Sequence, residues 1–425
     1  MIRVMIADDS AFMRMVLKKL FSGADDFEVV GVAHDGQEAV EKVKKLHPDL
    51  LTMDVSMPRL NGLEALEIIM RDNPVPVVMF SALTQDGTAA TIKALEIGAV
   101  DFISKTSGPI STIDGIQDKI LRKCRMAASA NVRPRDSKLS NEKKKKKETG
   151  HTIENYKGTQ GRISRQLPMA GKLANKLKQS QSARERLVMP TAKEVLKRDR
   201  EKLPQVRQGL KPVFVKRSAP KQYDDGVISI DSCPQGASKL VAIGTSTGGP
   251  KALQAVITRL PGNLPCGVVI VQHMPKGFTR SLAERLDSIS EISVKEAENH
   301  DVIQPGHVYI APGDYHMTVQ PVGDHREIVL NQDPPLGSHR PAVNVLFDSV
   351  VQFGKDVVSV IMTGMGCDGA EGMKKIDAAG GYIIAEDEES SVVYGMPKAV
   401  VDMGIADEVL PLSDIARAIV DAVKR

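Results

Sequence analysis

The chain opens with an alternation of apolar runs and amphipathic segments. Val4 to Ala7, Phe27 to Ala33, Leu50 to Met53, Val75 to Phe80 and Val100 to Ser104 read as five strands, with helical patterns between them and a fifth after the last. Such alternation predicts a parallel sheet covered by helices on both faces, over roughly residues 1–122. From Lys123 to Ser238 the pattern dissolves into Lys, Arg, Gln and Ser, including the run Lys143 to Lys147. A segment of this kind lacks the apolar surface to offset its ordering entropy, so residues 123–238 are expected to be a basic, disordered linker. Alternation resumes in 239–425, with strands expected at Leu240 to Ile243, Val268 to Gln272, Val308 to Ala311, Val357 to Met362 and Tyr382 to Ala385. This predicts a second α/β domain of different design, since no repeat of fixed period links the halves.

Composition changes this picture little. The 425 residues are 42% hydrophobic, enough for more than one core, and a formal charge of +4 matters only where the linker concentrates it. The first ten residues carry Arg3, Asp8 and Asp9, and no later stretch is apolar for about 18 residues, so a cytoplasmic protein without membrane insertion is expected. Cys124, Cys233, Cys266 and Cys367 show no C-x-x-C spacing, which predicts neither a zinc site nor a disulfide framework.

Candidate chemistry lies where the strands end. Asp8 and Asp9 follow the first strand and Asp54 the third, so a parallel sheet would gather three carboxylates at its carboxyl edge. Oxygen ligands at an open edge suit Mg2+. Ser81 and Lys105, expected just after strands four and five, would complete a phosphoryl pocket, with Asp54 as the nucleophile. Singly, an Asp pair after a strand is often an N-cap and a terminal Lys a solvated end. The order Asp-Asp, Asp, Ser, Lys at successive strand ends is the specific signal.

Over Ile2 to Arg122 these residues, with the loop Met53-Asp54-Val55-Ser56-Met57-Pro58-Arg59-Leu60-Asn61-Gly62, resemble the receiver domain of two-component response regulators. The resemblance implies a five-stranded, flavodoxin-like doubly wound fold, phosphorylation of Asp54 by a histidine kinase, and Mg2+ on Asp9 and Asp54 with Asp8 nearby. It also implies that Phe102 is the aromatic that moves on activation. One departure is Thr106 after Lys105, where the family usually has proline.

In the second domain, the strand Leu240 to Ile243 runs into Gly244-Thr245-Ser246-Thr247-Gly248-Gly249-Pro250, a sharp turn that exposes Ser246 beside a helix N-terminus. A phosphate-binding loop is the plainer alternative, but the Lys-Ser/Thr pair of a P-loop is missing. His273, directly after the strand Val268 to Gln272, is the best-placed base, with His307, His316 and His339 as weaker rivals. Asp368, after the strand Val357 to Met362, is the candidate orienting acid. Gly364, Gly366 and Gly369 also spell G-x-G-x-x-G, a dinucleotide-binding look-alike, although Asp368 would then lie in a loop meant for pyrophosphate.

The chain order Ser, His, Asp differs from that of the α/β-hydrolases. Together with Gln272-His273-Met274-Pro275, Ala311-Pro312-Gly313, Ser338-His339-Arg340-Pro341 and Tyr394-Gly395-Met396-Pro397, the segment from Leu240 to about Val423 resembles the chemotaxis-specific protein-glutamate methylesterases. That resemblance implies hydrolysis of glutamate methyl esters on methyl-accepting chemotaxis receptors, with Ser246 as nucleophile, His273 as base and Asp368 as orienter. No cofactor is implied for the esterase. Receptor glutamine deamidation is implied as well, together with control by a receiver that covers the site until Asp54 is phosphorylated. The backbone N–H groups of Thr247 and Met365 are the expected oxyanion donors. The departure here is the long linker: ~115 flexible residues have an r.m.s. span of order 55 to 65 Å, which would weaken such autoinhibition.

Two rival readings remain at this stage. A DNA-binding output domain would need a basic recognition helix near the C-terminus, where instead Asp407, Glu408, Asp414 and Asp421 lie, so no nucleic-acid partner is expected. A binding module with an inactive serine site would leave signalling intact after Ser246→Ala.

Overall fold

In the computed structural model of the protein, the residues described are 1–82, 84–105, 113–132, 226–228 and 239–425. The N-terminal domain runs β1 (Ile2–Ala7), α1 (Ala11–Ser22), β2 (Phe27–Ala33), α2 (Gly36–Leu46), β3 (Leu50–Asp54), α3 (Gly62–Asp72), β4 (Val77–Ala82), α4 (Gln85–Ile97), β5 (Asp101–Lys105) and α5 (Ile113–Ala128). Its five strands pair in parallel in the order β2-β1-β3-β4-β5. The order reverses between β1 and β3, so a crevice opens at their carboxyl ends. Local sequence sets the helix starts: Ser10, Asp35 and Asn61 each accept a first-turn amide, and Asn61 with Glu64 forms a capping box.

Most expected strands shift by one or two residues, so that Lys105 ends β5 rather than following it, and two boundary shifts have a clear cause. β4 begins at Val77 rather than Val75, because Pro74 and Pro76 bring no amide to the ladder, and it extends to Ala82. Ser81 therefore lies inside the strand, opposite Ser104, rather than after it. Helix α5 continues through Lys123 to Ala128, past the expected end at Arg122, because Ile120, Cys124 and Ala127 form one buried stripe. Most of the expected linker, and Thr106, lie outside the described residues; within the linker's expected span, Ile228 is buried and its amide bonds the carbonyl of Arg259.

The C-terminal domain runs β6 (Leu240–Thr245), α6 (Gly249–Ile257), β7 (Gly267–Gln272), α7 (Phe278–Asp287), β8 (Ser293–Glu296), β9 (His307–Ile310), β10 (His316–Val322), β11 (His325–Asn331), α8 (Val343–Val350), β12 (Val357–Ile361), α9 (Ala370–Ala378), β13 (Tyr382–Glu386), α10 (Met396–Asp402), β14 (Glu408–Leu410) and α11 (Leu412–Val423). Seven parallel strands lie in the order β14-β13-β12-β6-β7-β9-β8. The short outer strands β8 and β14 escape the sequence reading because they are only partly buried and carry no apolar run. The antiparallel hairpin β10–β11 also escapes it.

Alternating strand residues face two cores. Val241 and Ile243 pack with α6, α7 and α11; Leu240 and Ala242 pack with α8, α9, α10 and the buried hairpin residues Met317, Val319 and Ile328. A hairpin thus takes part of the layer that helices alone would fill. Among the described residues, no helix is long and apolar enough to cross a membrane.

Candidate functional sites

At the carboxyl edge of the N-terminal sheet, Asp8, Asp9 and Asp54 place carboxylate oxygens within 4.8 Å of one another. Asp8 and Asp54 are buried and Asp9 is exposed, an oxygen-only set open on one side. Hard divalent cations take such ligands, so these residues fit Mg2+. Lys105, the last residue of β5, lies 3.0 Å from Asp8 Oδ2 and 2.8 Å from Asp54 Oδ2. Burial holds the Asp54 carboxyl above its usual range despite the opposing pull of Lys105. Burial also works against the Lys105 ammonium, but its bonds to Asp54 and Asp8 carry its pKa above the ordinary value. The Ser81 hydroxyl donates to the carbonyl of Gly87 in α4 at 3.0 Å, so it is tied to the helix beside the pocket.

The second site spans three adjacent strands. Ser246 follows β6, His273 follows β7 and Asp368 lies in the loop after β12; the sheet order β12-β6-β7 brings the three together. His273 Nδ1 is 3.1 Å from Ser246 Oγ, and His273 Nε2 is 2.8 Å from Asp368 Oδ2. Asp368 is fixed further by the amides of Val343, at 2.7 Å, and Asn344, at 2.9 Å. These belong to the first turn of α8, whose N-cap, Ala342, has no side chain to offer, so Asp368 caps that helix from a distance. Burial disfavours the Asp368 carboxylate, but His273 and the two amides outweigh it and hold the pKa below its usual value. With Asp368 committed to His273 and to α8, its carboxylate stands inside the G-x-G-x-x-G loop, where a pyrophosphate would meet a negative charge.

The turn carrying Ser246 is held from two sides. Its carbonyl accepts the Gly249 amide at 2.8 Å and the Gln272 Nε2 donor at 2.9 Å, while Gln272 Oε1 accepts the Thr245 hydroxyl at 2.6 Å. Gly248 has φ of 80°, and a Cβ there would come within 2.7 Å of Val392, so both backbone and space demand glycine.

Among the rival histidines, His316 is buried and accepts the Ala342 amide through Nδ1, and His307 faces the Pro305 carbonyl. His339 is different: its ring stacks on His273 with centroids 3.9 Å apart and planes 4° from parallel. Burial and the His273 ring push its pKa down to about 4, which keeps it neutral near pH 7. The sequence offered only its place in Ser338-His339-Arg340-Pro341; the stacking is a tertiary fact.

The two domains face each other across a cleft of about 540 Å³, with Asp101, Phe102 and Lys123 on one wall and Ser246, His273 and Met365 on the other. Thr247 lines it as well, and its hydroxyl donates to Asp101 Oδ2 at 3.0 Å. Phe102 is buried, with its ring centroid 4.4 Å from that of Phe278. Beside the cleft, α4 lies on α7: Glu96 takes two bonds from Arg285, at 2.6 and 3.1 Å, and the hydroxyls of Thr88 and Ser281 are 3.1 Å apart. Asp101 carried no sequence signal beyond its place before Phe102.

Residues 241–419 match the family described as CheB methylesterase, and residues 4–116 match the response regulator receiver domain. The protein-glutamate methylesterase/protein-glutamine glutaminase of Pyrococcus abyssi is 41% identical over 425 residues, covering 100% of this chain and 94% of its own length. The protein of the same name from Symbiobacterium thermophilum is 43% identical over 424 residues, covering 99% and 97%. A crystal structure of the Thermotoga maritima CheB methylesterase catalytic domain aligns at 46% identity and a TM-score of 0.43, over 43% of this chain and 97% of that one.

Proposed function

Because this chain belongs to the CheB methylesterase family and carries a receiver domain in front, we propose that it hydrolyses glutamate γ-methyl esters on methyl-accepting chemotaxis receptors when Asp54 is phosphorylated. The observation that carries this reading is the chain Ser246 Oγ, His273, Asp368 at 3.1 and 2.8 Å, at the carboxyl edge of the sheet. Ser246 Oγ attacks the ester carbonyl as His273 Nδ1 takes its proton, and Asp368 holds the Nε2–H that fixes this tautomer. The backbone amides of Thr247 and Met365, which line the same cleft, receive the oxyanion. The C–O bond to the methoxy group then breaks, and methanol leaves with the proton from His273. Water, deprotonated by the same nitrogen, hydrolyses the acyl-enzyme to glutamate and restores the Ser246 hydroxyl. The same groups serve glutamine deamidation, with ammonia as the leaving group.

Control comes from the receiver. A chemotaxis histidine kinase supplies the phosphoryl group, and Asp54 attacks phosphorus while the N–P bond of the phosphohistidine breaks. Asp8, Asp9 and Asp54 would hold Mg2+, which supplies neutralisation of the phosphoryl oxygens. Lys105 and Ser81 bind the phosphoryl group on Asp54. For Ser81 this means giving up the carbonyl of Gly87, next to Thr88, on the helix that also carries Glu96 against α7. Loosening α4 and the wall at Asp101 and Phe102 opens the cleft to a receptor helix.

The test is methanol release from methylated receptor membranes, with and without acetyl phosphate and Mg2+, using wild type, Ser246→Ala and Asp54→Ala. Release that needs Ser246, and rises with phosphodonor only when Asp54 is present, is the expected result. No release from wild type under any condition would remove the substrate assignment.

A further inference from the structure

We propose that Glu386, at the end of β13, is a positioning residue for the nucleophile turn, acting through Thr363. The proposal rests on the serine-esterase reading above and adds a residue outside the triad and the oxyanion donors.

Glu386 is fully buried, and its Oε2 accepts the Thr363 amide at 2.7 Å. Thr363 in turn grips the turn twice. Its carbonyl accepts the Ser246 amide at 3.0 Å, and its hydroxyl donates to the Thr247 carbonyl at 2.9 Å. The same hydroxyl accepts the Val393 amide at 3.0 Å, which fixes its rotamer. The following residue, Gly364, lies so close to the turn that a Cβ there would stand 2.9 Å from Ser246 Cβ. Met365 comes next. The segment 363–365 therefore sets both the nucleophile and the two amides assigned to the oxyanion, and Glu386 is the buried group that holds its amino end.

The far side of Glu386 suits the protonated form of the acid. Ser390 Oγ lies 3.0 Å from Glu386 Oε1 and 2.8 Å from Asp387 Oδ1, and it accepts the Leu412 amide at 2.9 Å. A hydroxyl has one proton, so it cannot donate to both carboxylates. With the proton on Glu386 Oε1 the network closes: Glu386 donates to Ser390, and Ser390 donates to Asp387. Burial pushes the Glu386 carboxyl up to about 7, which agrees with this arrangement. In its protonated form Glu386 orients the turn without placing a negative charge behind a site that must stabilise an oxyanion.

The experiment uses the full chain with Mg2+ and acetyl phosphate, and measures kcat and KM for methanol release from methylated receptor membranes. Glu386→Gln keeps the acceptor for Thr363 and a donor for Ser390, and it should retain kcat within about threefold. Glu386→Ala should lower kcat by about 30-fold with KM within about twofold, the signature of a group that acts on the transition state. Wild-type kcat in Glu386→Ala, an equal loss in Glu386→Gln, or a loss carried by KM would each overturn the role. If Glu386→Ala fails to fold, Glu386→Asp, whose shorter side chain withdraws the carboxyl from the Thr363 amide, replaces it. A kcat lowered severalfold at unchanged KM supports the proposal, and an unchanged kcat overturns it. Ser246→Ala separates the two levels: release that survives in Ser246→Ala sinks the esterase reading, whatever the Glu386 variants do.

Discussion

The Thr247 hydroxyl donates a 3.0 Å hydrogen bond to the Asp101 carboxylate across the cleft between the two domains. A receiver carboxylate is thus bonded to the residue whose amide is proposed as an oxyanion donor, beside the aromatic Phe102. Asp101→Ala should raise the unphosphorylated rate about tenfold to a hundredfold, the value of one hydrogen bond to a charged group, and leave the rate at saturating phosphodonor unchanged. An unphosphorylated rate equal to wild type would show that this contact does not restrain the site.

The pair Glu96–Arg285 also joins the two domains, with Glu96 largely buried and Arg285 partly exposed, and in the proposed control it serves as a second latch. Arg285→Glu should raise the unphosphorylated rate about twofold to fivefold, in the range expected for a partly screened ion pair. Adding Glu96→Arg should return it toward wild type, since the exchange restores the pair with reversed polarity. Additive rather than compensating effects would place the latch elsewhere.

Asp368 both orients His273 and caps α8 through Val343 and Asn344. Asp368→Asn puts an amide where three donors converge, so kcat should fall by about 10³ to 10⁴. Thermal unfolding should show a stability loss of about 1 kcal/mol from the disturbed cap. A variant with lost activity and an unchanged melting temperature would mean that α8 does not need this carboxylate.

Glu386 makes stability depend on pH with a definite sign. Its folded pKa of about 7 lies above its ordinary value of 4.5, so the fold favours the protonated acid. That contribution is complete below pH 4.5 and is lost as pH rises towards 7. Glu386→Gln cannot ionise, so urea unfolding at pH 8 should find it more stable than wild type by up to about 3 kcal/mol, with the difference vanishing near pH 4. A difference independent of pH would mean that Glu386 is already ionised in the fold.

Chelation of divalent ions should act through the receiver. EDTA should abolish stimulation by acetyl phosphate and leave unphosphorylated methanol release unchanged, because among the described residues the carboxylate cluster placed for a cation is Asp8, Asp9 and Asp54. A fall in the unphosphorylated rate would reveal a metal requirement in the esterase.

Much of this protein is legible in its sequence. The alternation of apolar runs and helical patterns marks two parallel α/β sheets, and Asp8, Asp54, Lys105, Ser246 and His273 stand at strand ends because chemistry in such folds collects at one edge. These are local facts of order and spacing, and the sequence carries them. It did not determine that β12, β6 and β7 are neighbours, which makes three distant loops into one chain of hydrogen bonds. Nor did it reveal the hairpin β10–β11, the extension of α5 to Ala128, the stacking of His339 on His273, or the bonds that join Asp101 to Thr247 and Glu386 to Thr363. The hairpin and the end of α5 are local but are held by what they pack against, whereas the other pairs join residues distant in the chain; packing decides such partners, a carboxylate acquires its role from the group that folding places within 3 Å of it, and no periodicity records that choice.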